Sequence, residues 1–227
     1  MEFLLDSANL EDLKKYSAVY PITGVTSNPS ILKAEGNVPL FEHMRKVREI
    51  IGMNRTLHIQ VTAPDADGMI TEAHAVLKNV DGKVFIKVPA NEEGLKAMRS
   101  LKAEGVGITA TAIYNKIQGF MAIAIGADFI APYCNRMADL DIDFRDTISA
   151  FRQMIDGSSS ATKILAASFH SMEQVNDALL AGAHAVTIQP GLLHSAFGAD
   201  CIRQAVEGFY QDWVAVRGNV TICDLDK

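Results

Sequence analysis

A (β/α)8 barrel is the fold class this sequence predicts, and three observations predict it. Short apolar segments rich in β-branched residues recur along the chain. Each is followed by a polar turn and an amphipathic helical stretch. Eight such steps fit into 227 residues. That is about 28 residues per step, near the size of one compact βα step, and eight steps close a barrel that typically takes ~250 residues.

Taken in order, the strands are EFLLD (2–6), GVTSN (24–28), LHIQV (57–61), KVFIKV (83–88), GITATA (107–112), FIAPY (129–133), KILAAS (163–168) and HAVTI (184–188). Several are apolar throughout, as strands buried on both faces are. The helical stretches between them carry visible stops: Gly52, Gly105, Gly126 and Gly182 each follow one, where a residue at positive φ closes a helix. Ser171 and Gln174 offer a capping box after the seventh strand. Asn91, followed by Glu92 and Glu93, does similar work after the fourth. AIGADFIAP (124–132) and LAGAHAVTI (180–188) share one pattern of helix end, Gly-Ala, polar residue and apolar strand.

The structural rival is a doubly wound open sheet, which would use fewer strands and a Gly-rich phosphate turn. No GxGxxG follows the first strand, so the barrel is preferred. DGSSSATK (156–163) is only an αβ loop, and no linker separates the steps. Residues 1–227 therefore read as one barrel domain, with a C-terminal helix at about 199–216.

Composition narrows the partners. With 48% hydrophobic and 21% charged residues, the chain is an ordinary globular one. A formal charge of −6 and the lack of any Lys/Arg run disfavour nucleic acid, which needs a basic face. Cys134, Cys201 and Cys223 are odd in number and form no CxxC pair, which argues for a reducing compartment. The segment MEFLLDSANLEDLKK lacks a basic start and a long apolar core, so no signal peptide is read there. No apolar run approaches the ~20 residues of a membrane span. A cytoplasmic location is expected.

In a barrel the chemistry sits at the C-terminal ends of the strands. The polar residues there are Asp6, Thr26, Asn28, Gln60, Thr62, Lys87, Thr109, Thr111, Tyr133, Asn135, Arg136 and Ser168. Strand ends are wet, and that explains most of them one at a time. It does not explain Lys87, which sits in VFIKVP with apolar neighbours on both sides. Alternation puts Val84, Ile86 and Val88 on one face and Phe85 with Lys87 on the other. Either face of a parallel barrel strand removes the amine from bulk water. A buried ammonium without a partner tends to lose its proton, and a neutral amine attacks carbonyls. The alternative is a structural lysine paired with a buried carboxylate, for which Asp6 is the candidate. Lys83 and Lys163 start their strands and fall at the opposite end of the barrel.

Other chemistries fit less well. His43, His58, His74, His170, His184 and His194 show no HxxxH or HxH spacing, which disfavours a zinc site. His184 begins a strand at the wrong end. His170 follows Ser168 near the active face, where a surface loop histidine is the commoner explanation. Cys134 should face the helices as a small apolar residue.

LDSAN (5–9), GVTSNPSI (24–31), HIQV (58–61), IKVP (86–89), GITATAIY (107–114), APYCNR (131–136) and ILAASF (164–169) run nearly the length of the chain. In that order they resemble the transaldolase family of class I aldolases, and more closely its small fructose-6-phosphate aldolases and transaldolase-like proteins. The resemblance implies a (β/α)8 barrel with a Schiff-base lysine on the fourth strand, and no metal or organic cofactor. Lys87 matches that lysine. Asp6 and Asn28 match residues that hold hydroxyls of a dihydroxyacetone unit, and Thr26 joins them as a substrate-binding candidate. Gln60 and Thr111 match a pair that positions a catalytic water, Tyr133 a proton-transfer tyrosine, and Arg136 with Ser168 a phosphate-binding pair.

Transaldolases of the family carry glutamate at the position of Gln60 and phenylalanine at that of Tyr133, whereas the aldolases carry Gln and Tyr. The expected reaction is thus cleavage or formation of fructose 6-phosphate from dihydroxyacetone and glyceraldehyde 3-phosphate. Transfer of the dihydroxyacetone unit between sugar phosphates is the alternative, and a noncatalytic sugar-phosphate-binding barrel the remote one. Ser7 stands where Thr is usual, and His170 where the aldolases often have lysine. TIQPGLLHSAF (187–197) departs from the usual eighth-strand exit, and RGNVTICDLDK (217–227) runs past the usual end. The resemblance also implies a homo-oligomer, commonly a decamer of two pentamers with C-terminal helices crossing between subunits. Ile202, Val206, Phe209 and Trp213 give the helix at 199–216 an apolar stripe. That stripe suits docking on another subunit or packing on its own barrel equally well.

Overall fold

A computed structural model describes residues 1–225. Eight strands form, each within two residues of its expected bounds: β1 (Glu2–Asp6), β2 (Gly24–Thr26), β3 (Thr56–Gln60), β4 (Phe85–Pro89), β5 (Ile108–Ile113), β6 (Phe129–Pro132), β7 (Lys163–Ala166) and β8 (Ala185–Ile188). All neighbours are parallel and in sequence order. β1 pairs with β2 on one side, Leu4 opposite Gly24, and with β8 on the other, Glu2 opposite Ala185, which closes the barrel. The expected (β/α)8 fold is the fold observed.

The helices are α1 (Leu10–Ser17), α2 (Pro29–Ala34), α3 (Leu40–Ile51), α4 (Ala66–Asn79), α5 (Glu92–Ala103), α6 (Lys116–Ile125), α7 (Cys134–Ala138), α8 (Phe144–Ser158), α9 (Met172–Leu180), α10 (Pro190–Phe197) and α11 (Asp200–Arg217). Gly52, Gly105, Gly126 and Gly182 all hold positive φ, between 72° and 108°. Gly126 closes α6 in the left-handed region, which side chains with a Cβ resist.

Two local differences have local causes. The second strand stops at Thr26 because Asn28 turns to cap α2, with Pro29 at its first position. Ser171 accepts from the Gln174 N–H as expected, at 3.2 Å. The reciprocal half of that capping box is missing, because the Gln174 side chain accepts from His170 N and donates to Asn135 instead. A complete capping box lies at Asn115 and Gln118, opening α6.

Burial follows the strand alternation. Leu5, Val25, Ile59, Ile86, Val88 and Ile130 are fully or almost fully covered. On the opposite strand faces, Leu4, Phe129, Leu165 and Ala185 form one layer, with Phe85 packed against it. This apolar layer lies toward the strand starts, so the polar positions fall toward the strand ends.

The expectation was one domain over residues 1–227; the last two residues lie outside those described. The chain divides into two compact units, Met1–Pro190 and Gly191–Lys227. The first holds the closed barrel. The second holds α11 at the expected place, with Ile202, Val206 and Phe209 exposed. Its Trp213 indole donates to the Val220 carbonyl at 2.6 Å. No helix among the described residues is long and apolar enough to cross a membrane.

Candidate active site

A cavity of about 560 Å3 is lined by strand-end and adjoining loop residues of the barrel unit, a volume suited to a small-molecule ligand. Asp6, Asn28, Gln60, Lys87, Tyr133, Arg136 and Ser168 all line it. Seven of the nine residues singled out from sequence therefore share one wall system. The other two, Thr26 and Thr111, stand behind it.

Lys87 is only 3% exposed. Its Nζ donates to the Ser27 carbonyl at 2.9 Å. Burial pushes its pKa down, and attraction to Asp6 works against that. Burial pushes the Asp6 carboxyl up, while Lys87 and the Thr26 hydroxyl pull it back. The two groups feel each other, yet each is bonded elsewhere: Asp6 Oδ1 accepts from Thr26 Oγ1 at 2.6 Å. The amine thus keeps free valence toward the cavity, unlike a lysine locked into a structural ion pair.

Thr26 is 1% exposed, and its hydroxyl contacts Asp6 and Thr187. It buttresses Asp6, and it is not among the residues that line the cavity. Thr111 is likewise fully buried, on β5 where the pairing register shifts between Ala110 and Ile113 and Ala112 takes φ 55°. A bulge of this kind re-aims side chains. Thr111 Oγ1 donates to Tyr133 Oη at 3.0 Å. Its hydrogen is committed to the phenol, which leaves its oxygen to act as an acceptor.

Gln60 does face the cavity, and its Oε1 is buried with no hydrogen-bond partner. Such an acceptor is costly unless something donates to it, and a water or a ligand hydroxyl would. Burial raises the Tyr133 pKa, partly offset by the Thr111 bond, so the phenol keeps its proton at neutral pH. Asn28 spends its side-chain oxygen on the Ser30 and Ile31 N–H groups at 2.9 and 3.0 Å. Its amide nitrogen remains to donate elsewhere.

One end of the cavity is suited to an anion. Arg136, exposed on α7, makes no hydrogen bond or ion pair with another described residue. Ser168 beside it holds φ 62°, a sparsely populated conformation for serine. The Ser168 carbonyl accepts from Asn135 N at 2.8 Å. His170 and Gln189 also line the cavity, the latter from the segment that departs from the family pattern.

Sequence reasoning missed two supports. Ser27 holds the lysine through a main-chain carbonyl, which no side-chain pattern signals. His58 is fully buried one layer below Lys87, bonded to Thr109 at 2.8 Å and Thr56 at 2.9 Å. It stacks on Phe85 with centroids 5.0 Å apart. Burial, reinforced by Lys87 and Arg48, pushes its pKa down to about 3. Its place between Leu57 and Ile59 in an alternating strand was the available signal.

The remaining candidates are structural. Thr62 bonds Glu72 outside the cavity. Asn135 is buried and bonded to Asp139 and Gln174. Burial pushes the Cys134 thiol up to about 12, and His184 Nδ1 accepts from Ile164 N. Among the described residues no three His, Cys, Asp or Glu side chains converge as metal ligands.

The fold and site together define a class: a (β/α)8-barrel enzyme with a lysine amine at the catalytic face. The chain belongs to the transaldolase/fructose-6-phosphate aldolase family, whose profile matches residues 3–219. It is 47% identical over 222 residues to a "probable fructose-6-phosphate aldolase" of Streptococcus pneumoniae, covering 98% of this chain and all of that one. Among solved structures, a mutant of flavocytochrome b2 superposes with a TM-score of 0.58 at 13% identity, over 99% of this chain and 66% of the other. That likeness is of fold alone.

Proposed function

We propose that the chain is a class I aldolase that interconverts fructose 6-phosphate with dihydroxyacetone and glyceraldehyde 3-phosphate. One observation carries the reading. A buried amine, depressed in pKa and held by a single carbonyl, opens on a cavity that has a free arginine at another wall. The name of the Streptococcus relative supports the same substrate.

Lys87 Nζ adds to C2 of the ketose, and the C2 oxygen takes up a proton from solvent and leaves as water, giving an iminium. The C4 hydroxyl proton passes through a water at Gln60 Oε1 and on through the Tyr133 phenol to solvent. The C3–C4 bond breaks, and its electron pair enters the iminium to form an enamine. Glyceraldehyde 3-phosphate leaves. A proton returns along the same relay to C3, and water hydrolyses the iminium to free dihydroxyacetone, the neutral amine and a proton released to solvent. Asp6 and Asn28 hold hydroxyls of the three-carbon unit, and Thr26 steadies Asp6. Thr111 acts through Tyr133, while Arg136 and Ser168 bind the phosphate.

Borohydride reduction in the presence of dihydroxyacetone tests the covalent step. An unmodified Lys87 peptide would falsify it. Transfer to erythrose 4-phosphate is the rival within the family. Gln60 and Tyr133 favour cleavage, and turnover of fructose 6-phosphate that appears only when acceptor is present would favour transfer. Turnover lost with Lys87 excludes a mere binding protein. The same reading makes the protein a cytoplasmic homo-oligomer, supported by its three free cysteines and the exposed apolar stripe of α11.

A further inference from the structure

Thr26 Oγ1 lies 2.6 Å from Asp6 Oδ1 and 2.6 Å from Thr187 Oγ1. A threonine hydroxyl has one hydrogen, and an ionised carboxylate can only accept. With Asp6 ionised, the Thr26 hydrogen goes to Asp6, so Thr187 must supply the hydrogen of the second bond. The result is a directed chain from β8 through β2 to the carboxylate on β1. Both threonines are almost completely buried, at 1% and 3% exposure, so water does not compete for these bonds. Consecutive hydrogen bonds of one direction polarise each other.

The proposed imine chemistry gives this chain a purpose. An iminium at Lys87 is a buried cation and needs a counter-charge. Asp6 is the only carboxylate among the described residues that line the cavity. Burial works to protonate it. The titratable groups that act on it are Lys87 from β4 and Tyr133 after β6. From β2 it meets the Thr26 hydroxyl, which in turn meets Thr187 on β8. We propose that Thr187 is a positioning residue whose hydroxyl, relayed by Thr26, keeps Asp6 ionised as the counter-charge of the Lys87 iminium.

This inference rests on the Schiff-base reading, and its test separates the two. The pH profile of kcat, each normalised to its own plateau, is measured for wild type, Thr187→Val, Thr187→Ser and Thr26→Val. Removing a donor raises the Asp6 pKa, so the acid limb moves to higher pH. The shift expected is about one unit for Thr26→Val and about half a unit for Thr187→Val, a tenfold and about threefold loss on the acid side. Thr187→Ser restores the wild-type profile. Isotope-edited infrared titration of the Asp6 carboxyl, with Asp6→Asn as blank, reads the same order without turnover. Thr187→Ala is carried beside the valine variant in case the latter does not fold. Superposable wild-type and Thr187→Val titrations overturn the relay. Failure of borohydride trapping in wild type overturns the Schiff base alone, and the infrared result still decides the relay.

Discussion

Thr111 Oγ1 donates to Tyr133 Oη at 3.0 Å, which leaves the phenol's own hydrogen free for the cavity. Two residues 22 apart in sequence become one hydrogen-bonded unit, with the threonine fully buried behind the phenol. A phenol that receives one hydrogen bond and offers another passes a proton without becoming a phenolate.

Thr111→Val should therefore mimic a weak Tyr133→Phe. Cleavage of fructose 6-phosphate is expected to fall about 10-fold in the first and about 100-fold or more in the second. Borohydride trapping with dihydroxyacetone should persist in both, since imine formation needs only the amine. Steady-state rates beside trapping yields check the separation.

Lys87→Met should abolish trapping and lower kcat by about 1000-fold or more. For the wild-type amine the sign is clear. Burial favours the neutral form, so the lysine starts to react at lower pH than an ordinary one. The trapping rate should rise with pH and reach its plateau below the usual lysine range. A limb centred on the ordinary value of 10.5 would contradict the desolvation argument.

Arg136→Ala should raise KM for fructose 6-phosphate by about 30–100-fold, the loss of about 2–3 kcal/mol of charge-assisted bonding. Trapping of unphosphorylated dihydroxyacetone should change little, because that donor carries no phosphate. Equal losses for both substrates would move Arg136 from phosphate recognition to general structure.

His58 predicts acid sensitivity of the fold. Its folded pKa of about 3 lies below the unfolded value of 6.5, so unfolding takes up a proton between those limits. Its contribution is present above pH 6.5 and is lost as pH falls toward 3. Between pH 6.5 and 4.5 that amounts to roughly 2–3 kcal/mol. Urea melts over this range should show the loss in wild type, and His58→Gln should flatten it whatever its starting stability.

Much of the barrel was legible because its signals are local. Apolar β-branched runs, glycines at positive φ and side-chain caps act within a few residues, so all eight strands were placed and only their ends moved. The end of β2 moved because Asn28 was needed as a cap, and capping outweighs strand extension once Pro29 follows. The capping box at Ser171 was half right because Gln174 found a tertiary partner in Asn135, which no i,i+3 rule contains.

Lys87 shows where that boundary falls. An amine in an apolar strand is visible in sequence, and so is its tendency to lose its proton, because the cause is burial and the neighbours reveal burial. What holds the amine is not visible: the Ser27 carbonyl lies 60 residues away and is reached only because β3 alone separates β2 from β4 in the closed barrel. The placement of Thr26 behind Asp6, Thr111 behind Tyr133 and His58 beneath the lysine has the same origin. Strand tilt and register in a closed barrel set the height of each inward side chain, and that height decides which hydroxyl faces the cavity and which stands behind a neighbour. Local chemistry along the chain lays down the steps of the fold and the reactive amine; the groups that touch the amine follow from barrel closure, since contact between non-neighbouring strands depends on the ring and not on spacing along the chain.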